Sequence, residues 1–185
     1  MRTRKLPFLT LLPLLGLSAG CTDAGPTNAT LEFEPAFARN GPPVQASVNA
    51  ELAAVRALTA PYHNFEKAME AGYFAPLTPC LSSPAGGMGY HYGNPAYIDG
   101  TVNAMEPEVL VYEPVKNGSL RLVAVEYIVP LDAWQESDPP MLFGEHFNRN
   151  EGAGIWALHV WLWKHNPSGM FADWNPNVTC EYSGS

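Results

Sequence analysis

Residues 155–180 read IWALHVWLWKHNPSGMFADWNPNVTC. Over 157–165 the residues alternate: Ala157, His159, Trp161, Trp163 and His165 project to one face, Leu158, Val160, Leu162 and Lys164 to the other. Both sets are largely apolar, the mark of a strand covered on two sides. The segment therefore belongs in the main core, where each large side chain contributes roughly 2 kcal/mol. His159 falls inside that pattern. A buried imidazole needs a partner for each ring nitrogen, and the partner is a protein group, a water or a metal. After His165, turn chemistry at Asn166-Pro167-Ser168-Gly169 and again at Asn175-Pro176-Asn177 brackets Phe171 and Trp174, which predicts a packed loop.

Upstream, Asn117-Gly118 separates VLVY (109–112) from LRLVAVEYIV (120–129), which predicts a hairpin with a two-residue turn. Lys116 then opposes Ser119, Val111 opposes Ala124, Leu110 opposes Val125 and Val109 opposes Glu126. Glu126 shares its face with Val109, Val111, Ala124 and Ile128, so a carboxylate stands on an apolar surface. It must be protonated, paired or bound to a cation. Arg121 falls on the other face by parity.

Residues 85–95, AGGMGYHYGNP, hold Gly86, Gly87 and Gly89 within four positions, which predicts a sharp bend or a backbone pressed against another segment. No Lys-Ser/Thr follows, so this is not a phosphate loop. If 90–92 is extended, His91 points away from Tyr90 and Tyr92. Ser47 opens a helix to about Leu58, Thr59 caps a second one carrying Tyr62, Phe65 and Met69, and Gly72 stops it. Residues 73–84 read as loop and 130–154 as loop-rich, with His146 exposed.

The N-terminus reads as an export signal: Arg2, Arg4 and Lys5 precede an apolar run at 6–17 and then Ser18-Ala19-Gly20-Cys21. The LSAG-C ending resembles the bacterial lipobox. That resemblance implies cleavage after residue 20, a lipid on Cys21 and attachment to the cell envelope, with Thr22 fitting outer-membrane, periplasm-facing sorting in a Gram-negative host. Residues 21–45 read as a tether and 46–182 as one globular domain. Apart from Cys21, the cysteines are Cys80 and Cys180. In an oxidising compartment they predict a disulfide, the alternative being two free thiols. Without residues 1–20 the chain carries seven basic against 18 acidic residues, a net −11. With no basic run, there is no electrostatic footprint for nucleic acid.

His91, Glu126 and His159 are thus polar residues in extended, apolar surroundings. Two imidazoles and a carboxylate from separate strands form a first shell for Zn, Cu, Fe or Mn, with positions left for water or a small molecule. Each also has a plain structural reading, as a core histidine or a buried acid held by hydrogen bonds. Met88 offers a soft ligand or fills a gap. A metal-free alternative is an aromatic pocket in which Tyr90, Tyr92, Trp174 and the same two histidines bind a small organic ligand. No G-x-S-x-G elbow or haem-attachment pattern is present, and a carboxylate pair of Glu126 with Glu113 or Glu145 has nothing to position it. No enzyme class follows.

The runs GGMGYHY, PEVLVYEP, VEYIVP and LHVWLWKHNPSGMFADWNPNVTC resemble a family of uncharacterised bacterial exported proteins, over residues 59–180. The resemblance implies a shared fold and an exported location and carries no activity. The expected fold is α+β: two short N-terminal helices on a mainly antiparallel β-sheet, open or partly closed into a barrel, with one disulfide.

Overall fold

A computed structural model describes residues 44–184; residues 1–20, Cys21 and the tether up to residue 43 lie outside the described residues. Helix α1, Val44–Thr59, takes in the last two residues read as tether. A 3-10 turn, Ala60–His63, leads to α2, Phe65–Glu70. The cap of α2 is Asn64, whose Oδ1 accepts from the Glu66 and Lys67 N–H groups. Thr59 does not cap: its hydroxyl donates to Val55 O and accepts from Trp163 Nε1.

Eight strands follow: β1 Ala75–Ser83, β2 Gly86–Gly93, β3 Val109–Pro114, β4 Leu120–Pro130, β5 Met141–Leu142, β6 Glu145–His146, β7 Asn148–Asn150 and β8 Ile155–Val160. Six of them form one antiparallel sheet in the order β1-β2-β3-β4-β8-β7, curled as a half-barrel, while β5 and β6 make a separate ribbon. Among the described residues the sheet does not close, and β1 and β7 are its edges. The stretch 73–84, expected as loop, supplies β1. Its Pro76 and Pro79 disguise it, and an edge strand tolerates prolines because one side of its backbone is unpaired. The Cys80–Cys180 disulfide is formed, closing a sequence separation of 100 residues.

Leu110, Tyr112, Val125, Tyr127, Leu158 and Val160 pack with Leu52 and Val55 of α1 on one face of the sheet. On the other, Val109, Val111, Ala124, Ile128, Trp161 and Val178 form a smaller apolar layer. That second layer carries the polar cluster.

The β3–β4 register is as expected at Val109↔Glu126, Leu110↔Val125 and Val111↔Ala124, but the turn is not. Val115 N–H donates to Ser119 O and Gly118 N–H to Val115 O, so the loop has three residues, with Gly118 at φ 80°. The extra loop residue shifts the pairing by one, and a bulge at Val123 shifts it back, since Tyr112 pairs Leu122 while Val111 pairs Ala124. Val123 and Ala124 accordingly both face the smaller layer. Strand β8 is also shorter than the alternation suggests. At Trp161 the chain turns, with Leu162 N–H donating back to Val160 O. Trp163 then packs near Thr59 and His63, on the opposite side from Trp161.

Candidate metal centre

His91 comes from β2, Glu126 from β4 and His159 from β8. Along the sheet, His91 pairs Val111, which pairs Ala124, and two residues on from Ala124 Glu126 pairs His159. Flat strands spaced about 4.8 Å apart would hold β2 and β8 about 14 Å from one another. The curl of the sheet and the reach of both rings close that gap, and His91 Nε2 stands 3.2 Å from His159 Nε2. Glu126 lies between them, its Oε2 3.6 Å from His91 Nε2 and its Oε1 3.4 Å from His159 Nδ1. All three are buried, at 3%, 7% and 2% exposure.

Burial decides the charge state. Desolvation, followed by the His159 ring, lowers the His91 pKa to about 3. Desolvation lowers His159 to about 4 and, with Asp173 adding to it, raises Glu126 to about 8. The two His–Glu contacts are therefore not ion pairs near neutral pH. Three neutral groups face one another. Thr78 Oγ1 lies 2.7 Å from His91 Nδ1; when Nδ1 carries the proton and donates to Thr78, the His91 Nε2 lone pair points into the cluster. His159 Nδ1 is buried without a hydrogen-bond partner.

The donor set fits a transition-metal ion. With one ligand atom from each residue, the three atoms lie within 4.8 Å of one another, close enough for small ring and carboxyl rotations to bring them onto one ion; the 3.2–3.6 Å contacts use Nε2 of His159 toward His91 and its Nδ1 toward Glu126. These three residues can hold a metal ion. Two clefts reach the group, one touching all three residues and the other Glu126 and His159. One, ≈310 Å3, is mostly apolar. The other, ≈410 Å3, is bordered by Asn148, Arg149, Glu151 and Asp173. Met88 lines both. Simple alternation would put Met88 with Tyr92, which instead packs on Phe65 across the sheet. Gly89, in the left-handed region at φ 102°, reverses the parity.

No protein-family model, curated protein or solved structure matches the chain. The chemistry is accordingly read from the side chains. Tyr90, Tyr92 and Trp174 line neither cleft; Tyr92 packs edge-on against Phe65 and Tyr112. His146 is exposed on β6. Glu113 is buried but committed to Lys164, 2.6–2.7 Å away, so it forms no pair with Glu126. Thr78 and Asp173 escaped sequence reasoning. Thr78 sits in a proline-flanked run with no alternation, and Asp173 in a loop whose fold depends on long-range contacts.

Two expectations follow here. Gly89→Ala should cost at least about 2 kcal/mol in urea unfolding, because an added Cβ would sit 2.5 Å from Tyr112 O on a left-handed residue. Near-wild-type stability would contradict the close approach.

The second concerns pH in the metal-free protein. Folded His91 and His159 stay unprotonated down to pH about 3 and 4, whereas an unfolded chain protonates them near 6.5, so their contribution is lost on acidifying through that window. Glu126 and Glu108 behave oppositely. Burial raises both to about 8 from an ordinary 4.5, so the folded state holds protons that the unfolded state has released. Their contribution is lost as pH rises from 4.5 to 8. The slopes offset each other between 4.5 and 6.5, giving a broad maximum with decline on both sides. Urea unfolding of chelator-treated protein across pH 4–8 measures it, and Glu126→Gln should flatten the decline above 6.5. Stability still rising at pH 8 would contradict the neutral-cluster assignment.

Proposed function

We propose that this chain is an exported, lipid-anchored domain that holds a transition-metal ion through His91, Glu126 and His159, with a coordination position left for a small molecule. The observation that carries it is a buried set of two imidazoles and one carboxyl group from three strands, with one ligand atom of each within 4.8 Å of the others and His159 Nδ1 unpartnered. A purely structural polar cluster would be expected to satisfy its own hydrogen bonds. Zn, Cu, Fe and Mn all accept imidazole and carboxylate donors, and the pair of nitrogens favours these over Mg or Ca. The export signal and Cys21 support placement at the cell envelope, facing the periplasm if the host is Gram-negative, and the disulfide is compatible with it. Two short N-terminal helices covering the sheet's larger apolar face, as in the expected α+β arrangement, leave the metal-bearing face to the clefts.

The test is elemental analysis of protein purified from its native compartment. About one transition-metal ion per chain supports the proposal. Metal-free protein that also fails to take up zinc, cobalt, copper or manganese on titration overturns it.

A further inference from the structure

We infer that the open position at this centre takes a small apolar monoanion, of the size of benzoate or a six-carbon carboxylate. The inference rests on the metal reading and adds the ligand class. It starts from the ≈310 Å3 cleft, of which His91, Glu126 and His159 form one wall. Leu77, Leu81, Met88, Ile128 and Ile155 supply most of the rest. An apolar cavity of about 150 Å3 is enough for benzene, so this cleft accommodates a ring or short branched chain together with a polar head.

Charge selects the head group. A divalent ion held by one carboxylate leaves one positive charge in a site with low-dielectric walls, which a single anionic oxygen offsets. Among the described residues, Glu126 is the one acidic residue lining this cleft, and no lysine or arginine lines it. Asp173 borders the other, more polar cleft and is bonded to Asn148. A phosphate would bring excess negative charge into a cleft whose lining holds no guanidinium or ammonium, Arg149 bordering the other cleft and pairing with Glu151. A sugar would find few polar partners: Thr78 is taken up by His91, leaving Asn150 beside the metal-binding groups.

The rim points the same way. Leu77 is 42% exposed, yet it lies across Gly93, where an added Cβ would meet its Cδ1 at 2.9 Å. A large aliphatic side chain held at the mouth of a cleft gives an incoming hydrocarbon body a surface to cover.

The full chain loaded with Co(II) supplies the readout, because the visible absorption of cobalt responds to what fills its coordination sphere. Azide, acetate, hexanoate, benzoate and inorganic phosphate are titrated in turn. Benzoate and hexanoate should bind at least roughly tenfold tighter than acetate, since they differ only in the apolar surface they bury. In Leu77→Ser and Leu81→Ser proteins that advantage should shrink severalfold while azide affinity stays unchanged. Leu77 is exposed enough for its substitution to leave folding intact. If azide binds but hexanoate and benzoate are no tighter than acetate, or phosphate outcompetes them, the inference falls and the metal centre stands. If cobalt gives no protein-bound spectrum at all, both fall together.

Discussion

In His159→Ala protein, the thermal stabilisation that zinc or cobalt confers on the wild type should vanish. An ion that binds only the folded state adds about 2.7 kcal/mol at one hundred times its dissociation constant. For a domain of this size that corresponds to a rise in Tm on the order of 8 °C. Removing the ring takes away one of three donors and leaves Glu126 and His91 with no third partner, so the affinity should drop by at least about a hundredfold. His91→Ala should behave alike. Each variant is compared with itself, with and without metal, because losing a buried ring stacked on Trp161 also lowers the baseline. His146→Ala, altering an exposed histidine on β6, is the control and should keep the full shift. A wild-type shift that survived in both His91→Ala and His159→Ala would put the ion elsewhere.

The second large effect is expected from the disulfide. Joining Cys80 to Cys180 closes about 100 residues, for which the chain-entropy estimate is ~4.7 kcal/mol, and removing such a bond usually costs about 2–5 kcal/mol. Local structure argues for the upper part of that range. β1 is an edge strand whose pairing with β2 is interrupted by three register shifts, and residues 175–180 are tied to the sheet by the isolated bridge Gly87↔Asn175, by Thr179 N–H donating to Glu113 Oε1 and by the packing of Val178, without a regular strand ladder. Gly86 and Gly87 allow that approach, since an added Cβ would lie 2.4 Å from Asn175 O and 2.7 Å from Val178 O. A Cys80→Ser/Cys180→Ser double variant should therefore unfold at lower urea, and its amides in β1 and residues 175–180 should exchange first. A loss below about 1 kcal/mol would mean that packing alone holds these segments. Because Thr78 on β1 anchors His91, the double variant should also bind metal more weakly.

The three donors were legible in the sequence because each broke a pattern: a carboxylate on an apolar face, and two histidines inside extended, apolar or aromatic runs. Glu126 reached its expected partner through two irregularities that offset each other, the three-residue loop and the bulge at Val123. Either alone would have turned its side chain to the helix-covered face. Periodicity does not register such events. It also overran the end of β8, where Trp161 and Trp163 part to opposite sides of the sheet, and it missed β1, whose prolines suit an edge strand and argue against an inner one. Of the two readings of the glycine run, a sharp bend or a close approach, the approach holds at Gly86 and Gly87, but the reversal of Met88 at Gly89 depends on a single dihedral. Tyr92 went where its bulk was needed, against Phe65 and Tyr112.

X-ray absorption at the zinc or cobalt edge of reconstituted full-length protein tests the shared ion most directly. The geometry predicts two imidazole nitrogens and at least one oxygen at about 2.0–2.2 Å, with the outer scattering of two rings reduced to one in His91→Ala. An edge spectrum without imidazole scattering, as from an ion held by surface carboxylates and water, would contradict it.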